Sequence, residues 1–385
     1  MVRYLNPRSG ETFPLSTPIW RAPDGGPLLL TDITPTQGTL PGRGEDRGRG
    51  AWRWRAALPP LAGPPITLGE GDTPLVAHRA GSATVWIKGE WANPTGSFKD
   101  RGAAVMLSLL RDAGVRDVLE DSSGNGGAAV AAYAAAGGMA ATILAPEGTS
   151  PAKTLQARAY GATVELIPGD RQATADAALA RSSPETGGTF YASHAWHPFF
   201  LHGTKTLAYE LVEQLGRAPD HVVMPCGGGS LVLGCAIAFA EMRRAGLIAT
   251  LPRLWAAQPA ACAPIARALL RESSPPGEAA ADDPPARPTI AEGTAIARPV
   301  RQAEVVAALR AQGGGAVMLE EPEIAEATLG LARHGILVEP TCAQAMAALE
   351  RLLARGAIGR ENVTVVVLTG SGLKAGPAFE RLLAV

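Results

Sequence analysis

The feature that most constrains the fold is an alternation of short apolar runs with longer, helix-compatible stretches. Runs beginning at Asp117, Ala140, Thr163, Val222 and Val363 are rich in Val, Ile and Leu and end at Gly, Ser or Pro turns. Between them lie helical patterns such as Ala152–Tyr160 and the stretch from the glycines near 228 to about Arg244. Alternation of this kind builds open, mostly parallel α/β sheets. The unbroken apolar character of Val222–Pro225 and of the run from Val363 to Thr369 marks strands buried on both faces. A chain of 385 residues is long enough for two such domains sharing an interface. Residues 1–33 read differently: apolar pieces at Thr12–Leu15 and Leu28–Leu30, set between Gly and Pro turns, predict a small β-rich lead-in. The Gly- and Arg-rich Pro35–Gly50 stretch reads as a surface loop, and residues 272–288, rich in Pro, Ala and acidic residues, as a mobile insertion.

Composition narrows the partners. With 35 basic and 36 acidic residues the net charge is -1, so no basic excess points to nucleic acid or an anionic membrane surface, and small metabolites are expected. Cys226, Cys235, Cys262 and Cys342 are scattered without a CxxC pair, which fits a reduced compartment and speaks against a zinc site or a disulfide framework. The N-terminus lacks a signal-peptide pattern and no apolar run reaches the ~18 residues of a membrane span, so a cytoplasmic protein with no bound metal is expected.

Chemistry concentrates in Lys88–Gly102. Asn93-Pro94-Thr95-Gly96 is turn chemistry and Ala103–Leu110 reads as a helix, so Lys99 falls at a helix start. Two readings follow. Partial burial beside a positive helix end lowers a lysine's pKa and favours condensation with a carbonyl; the bland alternative is a solvated lysine paired with Asp100. Downstream, Ser122, Ser123, Gly124, Asn125, Gly126 and Gly127 form a small-residue turn between a strand and an alanine-rich helix. That turn is either an anion nest, suited to an amino-acid carboxylate, or plain capping. Gly227, Gly228, Gly229, Ser230 and Leu231 follow a buried strand and open a helix, where glycines let backbone N–H groups converge on a phosphate. A dinucleotide fingerprint, with its acidic residue ~20 positions on, is not formed there.

The segment NPTGSFKDRG, Asn93–Gly102, resembles the pyridoxal-phosphate lysine segment of threonine synthases, within the tryptophan-synthase-β-like group. The resemblance implies that Lys99 is the catalytic lysine and holds pyridoxal 5'-phosphate covalently, with Phe98 and Asn93 shaping the site. Leu68–Leu75, LGEGDTPL, is similar to the family's GEGxTPL. Ser122–Gly127 resembles the substrate-carboxylate loop, and Asn125 matches the asparagine that bonds the cofactor's phenolic oxygen; Gly126 stands where threonine synthases usually carry Thr. Gly227–Leu231 matches the cofactor-phosphate loop, in a spelling nearer to that of serine and threonine dehydratases. Thr289–Ile296 is similar to TIAxGIAI, and Val338–Met346 resembles EPTSAAAL with Cys342 in place of Ser, a core residue rather than a nucleophile. Thr369, in a segment similar to TGxGLK, is implied to meet the pyridine nitrogen without protonating it.

Tyr191–Thr206 departs furthest. It is similar to NSxNPxRxEGQKT and keeps Pro198, Gly203, Lys205 and Thr206, but the family's Asn, Ser and Arg, which help hold the phosphate of O-phosphohomoserine, fall on His194, Ala195 and Phe200. One full positive charge and its bidentate fork are lost. His194, His197 and His202 are either new substrate contacts or structural; His194 is carried forward as the substrate contact. Some threonine synthases begin with a cysteine-bearing segment, and here those cysteines are absent.

The resemblance spans about Gly69–Lys374. It implies two open, mostly parallel-sheet α/β domains with the cofactor in the cleft between them, the small domain being 92–194 and the large one 1–91 with 195–385. The implied activity is that of a pyridoxal-phosphate-dependent lyase, a homo-oligomer and in the simplest case a dimer, acting on an amino acid with a β or γ leaving group by threonine-synthase-type elimination and replacement. The alternatives are a serine/threonine ammonia-lyase or β-replacing synthase with a non-phosphorylated substrate, and a non-catalytic amino-acid- or cofactor-binding protein, against which the intact Lys99 speaks.

Overall fold

In the computed structural model the described residues are 2–33, 35, 40, 49–182, 188–273 and 284–384. The chain runs through β1 (Arg3–Leu5), β2 (Thr12–Pro14), β3 (Leu29–Leu30), β4 (Leu75–Ala80), β5 (Ala83–Gly89), α1 (Lys99–Asp112), β6 (Asp117–Glu120) and α2 (Asn125–Ala136). It continues through β7 (Ala140–Pro146), α3 (Pro151–Ala159), β8 (Thr163–Ile167), α4 (Arg171–Arg181), β9 (Phe190–Tyr191), α5 (Pro198–Thr204), α6 (Thr206–Leu215), β10 (His221–Pro225) and α7 (Ser230–Arg244). The remainder is β11 (Arg253–Pro259), α8 (Pro264–Ser273), α9 (Gln302–Ala311), β12 (Gly315–Leu319), α10 (Glu321–Arg333), α11 (Pro340–Ala354), β13 (Thr364–Leu368) and α12 (Gly376–Leu383). Most of Pro35–Gly50 and of 272–288, read above as a surface loop and a mobile insertion, lies outside the described residues.

Two compact units result, residues 1–72 with 93–206 and residues 73–92 with 207–385. In the first, β8-β7-β6-β9 form a parallel sheet, and β2-β1-β3 a small antiparallel one. Helix α1 is buried from Asp100 to Leu110 because its small and aliphatic residues cover the whole circumference. Alanines make α2 slim, so it too is buried along most of its length. Both helices share one apolar cluster with Tyr4, Phe199 and Phe200.

The expected division assigned residues 1–91 to the large domain, whereas residues 1–72 group with 93–206. Aromatic packing is the reason. Tyr4 of β1 stacks on Phe199 at 5.2 Å, and Trp20 meets Tyr191 and Trp196 edge-on at 5.1 and 5.4 Å. The β-rich lead-in is thereby a brace against the segment that carries His194.

The second unit holds a six-stranded sheet, β12-β11-β10-β13-β5-β4, parallel except for the β4–β5 hairpin at one edge. Its inner strands β10 and β13 are buried at every position, which explains their unbroken apolar sequence. No described helix is long and apolar enough to cross a membrane.

Candidate active site

Lys99 is the first residue of α1 because the preceding turn is tied down from within the helix. Gly96 donates to Asn93 O at 2.7 Å with φ at +81°, and the Asp100 carboxylate accepts from Thr95 N at 2.6 Å and from the Thr95 hydroxyl. Asp100 is therefore engaged with the turn, and the reading in which it pairs with a solvated Lys99 does not hold. Lys99 is partly buried, with Nζ 4.9 Å from the Phe98 ring centre and 5.5 Å from that of Phe200. Desolvation by this apolar surround lowers its pKa to about 8; the Arg171 charge pushes the same way and the Glu120 charge opposes it. Two residues earlier, Ser97 Oγ is buried without a hydrogen-bond partner. A weakly basic amine beside an orphaned hydroxyl fits a lysine that carries a polar carbonyl cofactor.

Strand pairing supplies the next layer. Parallel strands β6 and β9 run side by side, with Leu119 opposite Tyr191, so Glu120 and the Ser193–His194 turn emerge together at their C-terminal ends, where open α/β sheets bind ligands. Glu120, fully buried, accepts from His194 N at 3.0 Å and meets His194 Nδ1 at 2.9 Å. Burial raises Glu120 to about 7 and pushes His194 well below the usual histidine range. Arg171, the first residue of α4, places Nη1 2.7 Å from the Asp121 carboxylate and also on the Asp121 carbonyl. The Ser122–Gly127 turn follows Asp121, and the first α2 bond runs from Ala128 N to Gly124 O at 3.0 Å. The N–H groups of Asn125, Gly126 and Gly127 thus lie ahead of the helical ladder, as an anion nest requires.

Of the three histidines, His197 caps α5, accepting from Phe199 N at 3.3 Å, and His202 is buried with its Nδ1 unpartnered. His194 alone keeps an exposed edge, with 15% of its side chain accessible. Phe200, where the resemblance expects arginine, packs over Gly102: a Cβ there would lie 2.5 Å from the ring. Sequence reasoning missed Glu120, Asp121 and Arg171. A signal existed for the first, a carboxylate directly after the apolar pair Val118-Leu119 of β6.

In the second unit, the Gly227–Leu231 turn links β10 to α7. Gly229 has φ +85° and no room for a Cβ against Val305, whereas Gly228 faces open space. The first α7 bond runs from Leu233 N to Gly229 O at 2.9 Å, which leaves the preceding N–H groups ahead of the ladder at the positive end of a 15-residue helix. This is a cradle with the chemistry for a phosphate. Thr369, just past β13, has Oγ1 3.2 Å from Cys342 Sγ, and that sulfur accepts from Gly370 N at 2.9 Å. Burial drives the Cys342 thiol up to about 12, so it is a packing residue and not a nucleophile.

The sequence pattern of the family described as pyridoxal-phosphate dependent enzyme matches residues 66–370. A threonine synthase of Methanosarcina acetivorans is 33% identical over 331 residues, 84% of this chain and 80% of its own. A threonine synthase of Methanocaldococcus jannaschii is 34% identical over 336 residues, with the same 84% and 80% coverage. Among solved structures, a threonine deaminase from T.th. superposes with a TM-score of 0.61 at 28% identity, covering 78% of this chain and 92% of its own. Maize serine racemase, at 22% identity and a TM-score of 0.64 over 81% of this chain and 92% of its own, bears on the fold alone. With a lysine of lowered basicity at the head of α1 and this breadth of likeness, the chain belongs to the pyridoxal-phosphate-dependent enzymes, among their threonine-synthase-like members.

Proposed function

We propose that the protein is a lyase of threonine-synthase type in its cofactor handling, which eliminates or replaces a group on the β or γ carbon of an amino acid whose side chain carries no phosphate. The observation behind the first half is Lys99, neutral at its head for a substantial fraction of molecules near pH 8. Behind the second half stands Phe200, an apolar ring against Gly102 and near the Lys99 amine at the position where the resemblance expects an arginine. A buried phosphate with uncompensated charge costs several kcal/mol, on the order of what a single lost arginine partner supplied.

In this reading Lys99 binds the cofactor covalently and, as the free amine, takes the proton from the substrate's α carbon. Gly227, Gly228, Gly229, Ser230 and Leu231 hold the cofactor's phosphate, while Phe98 and Asn125 flank its ring. Ser122, Ser123, Gly124, Asn125, Gly126 and Gly127 orient the substrate carboxylate on their N–H groups. The Thr369 hydroxyl serves the pyridine nitrogen as a neutral partner. When bound, pyridoxal phosphate supplies an electron sink that stabilises negative charge at the α carbon. The setting is a cytoplasmic homo-oligomer acting on a free amino acid.

Borohydride reduction followed by peptide mapping should label Lys99, and a label elsewhere overturns the assignment. Steady-state kinetics should give O-phosphohomoserine a kcat/KM at least about tenfold below that of the best non-phosphorylated amino acid, ~1.4 kcal/mol of transition-state binding. A preference for O-phosphohomoserine would instead make Arg171 the cation to replace.

A further inference from the structure

We infer that His194, steered by Glu120, is a specificity-determining residue that accepts a hydrogen bond from a neutral donor on the substrate's side chain, in the first place a hydroxyl. This rests on the function proposed above and adds to it the class of side chain selected.

Three observations converge. Glu120 faces His194 with both oxygens, Oε2 on the backbone N–H at 3.0 Å and Oε1 on Nδ1 at 2.9 Å. Above about pH 8 the Glu120 carboxyl, raised to about 7 by burial, is ionised and only accepts, so there Nδ1 carries the proton and Nε2 keeps a bare lone pair, in the way outer carboxylates fix the tautomer of functional histidines. The pair is asymmetric in exposure: Glu120 is sealed, and 15% of the His194 side chain is open. The imidazole also occupies the place of another side chain. A Cβ added at Gly126 would fall 2.9 Å from His194 Nδ1, 3.0 Å from its Cε1 and 2.8 Å from Ser122 Oγ. Where the resemblance expects a threonine on the substrate loop, an imidazole from the turn after β9 stands instead.

The surroundings decide which ligand group this acceptor suits. Phe200 lies edge-on to the imidazole at 5.7 Å, an apolar wall. Arg171 commits Nη1 to Asp121, and above about pH 8 the ionised Glu120 places a buried negative charge behind the ring. An anionic ester brought to a bare lone pair backed by a carboxylate is repelled, whereas a hydroxyl satisfies it.

The test is ligand binding to the cofactor-loaded protein, read as the absorbance change before turnover, for pairs that differ by one hydroxyl: L-serine against L-alanine, and L-homoserine against L-2-aminobutyrate. The hydroxyl member should bind about tenfold tighter, ~1.4 kcal/mol. His194→Phe should bring each pair within about twofold while leaving cofactor content and the Lys99 label in place. Equal affinities within each pair in the unaltered protein overturn the inference. A second readout does not use the loaded enzyme: with isotope-labelled histidine, the imidazole nitrogen resonances of the apoprotein above about pH 8, where Glu120 is ionised, should show His194 protonated on Nδ1. An Nε2–H tautomer overturns the assignment. Failure of the underlying function has another signature, the loss of any cofactor absorbance tied to Lys99.

Discussion

Two lysines eleven positions apart, Lys88 and Lys99, contrast a cation answered by its surroundings with the one proposed above as the reactive amine. Lys88, in β5, is wholly buried and fully answered: Nζ reaches Glu210 at 2.5 Å, Thr73 O at 2.7 Å and Gln214 Oε1 at 2.8 Å. Lys99 is less buried, yet it faces the rings of Phe98 and Phe200 and forms no salt bridge among the described residues. Burial alone does not make an amine reactive. Burial with its charge left uncompensated does, because the neutral form then becomes accessible near physiological pH.

The sharpest way to break that contrast is to remove each amine. Lys99→Ala should lower turnover by at least about 10³-fold, at the upper end of what a positioned acid–base group supplies, and abolish the borohydride label. Thermal unfolding should be nearly unchanged, since the amine has no ion-pair partner to abandon. Lys88→Met should do the reverse: removing the buried Lys88 ammonium from Glu210 should cost roughly 3–5 kcal/mol in denaturant unfolding. Comparable stability losses in the two variants would erase the distinction.

The titration of Lys99 sharpens it further. The neutral amine is the reactive form, so the rate of pyridoxal-phosphate uptake by the apoprotein should rise with pH and level off above about 8. Below that point it should fall about tenfold per pH unit, provided the cofactor's own ionisation is corrected for. The charges of Glu120 and Arg171 act on the same amine in opposite senses, and Glu120→Gln should move the midpoint down, because the carboxylate raises the Lys99 pKa. A midpoint near 10 would mean that Lys99 is solvated. The smallest effect is expected at Thr369. Thr369→Asp should favour a protonated pyridine nitrogen and raise side transamination over elimination. An unchanged ratio of keto acid to pyridoxamine product would place Thr369 away from the ring.

Local chemistry made the Lys99 turn legible, since a proline, a glycine and an apolar helix in sequence determine where α1 begins. The glycine loop before α7 was legible for the same reason: Gly229 needs its positive φ whatever surrounds it. The Glu120–His194 contact was not, because its partners are 74 positions apart and meet only through the pairing of β6 with β9. Nothing in the spacing of the three histidines separates the exposed one from the two buried ones. Likewise, the short strands of the lead-in announce a sheet but not its attachment, which depends on Tyr4 and Trp20 finding Phe199, Tyr191 and Trp196.

The imidazole lodged against Gly126 also orders the mutational paths open to this enzyme. A threonine at 126 requires His194 and Ser122 to shift, because its Cβ would fall 2.9 Å from His194 Nδ1 and 2.8 Å from Ser122 Oγ. An arginine at 200 would give up the ring that Phe200 packs over Gly102. Positions 126 and 194 are therefore coupled: a smaller side chain at 194 makes room for a threonine at 126, so the effect of changing one depends on which residue stands at the other.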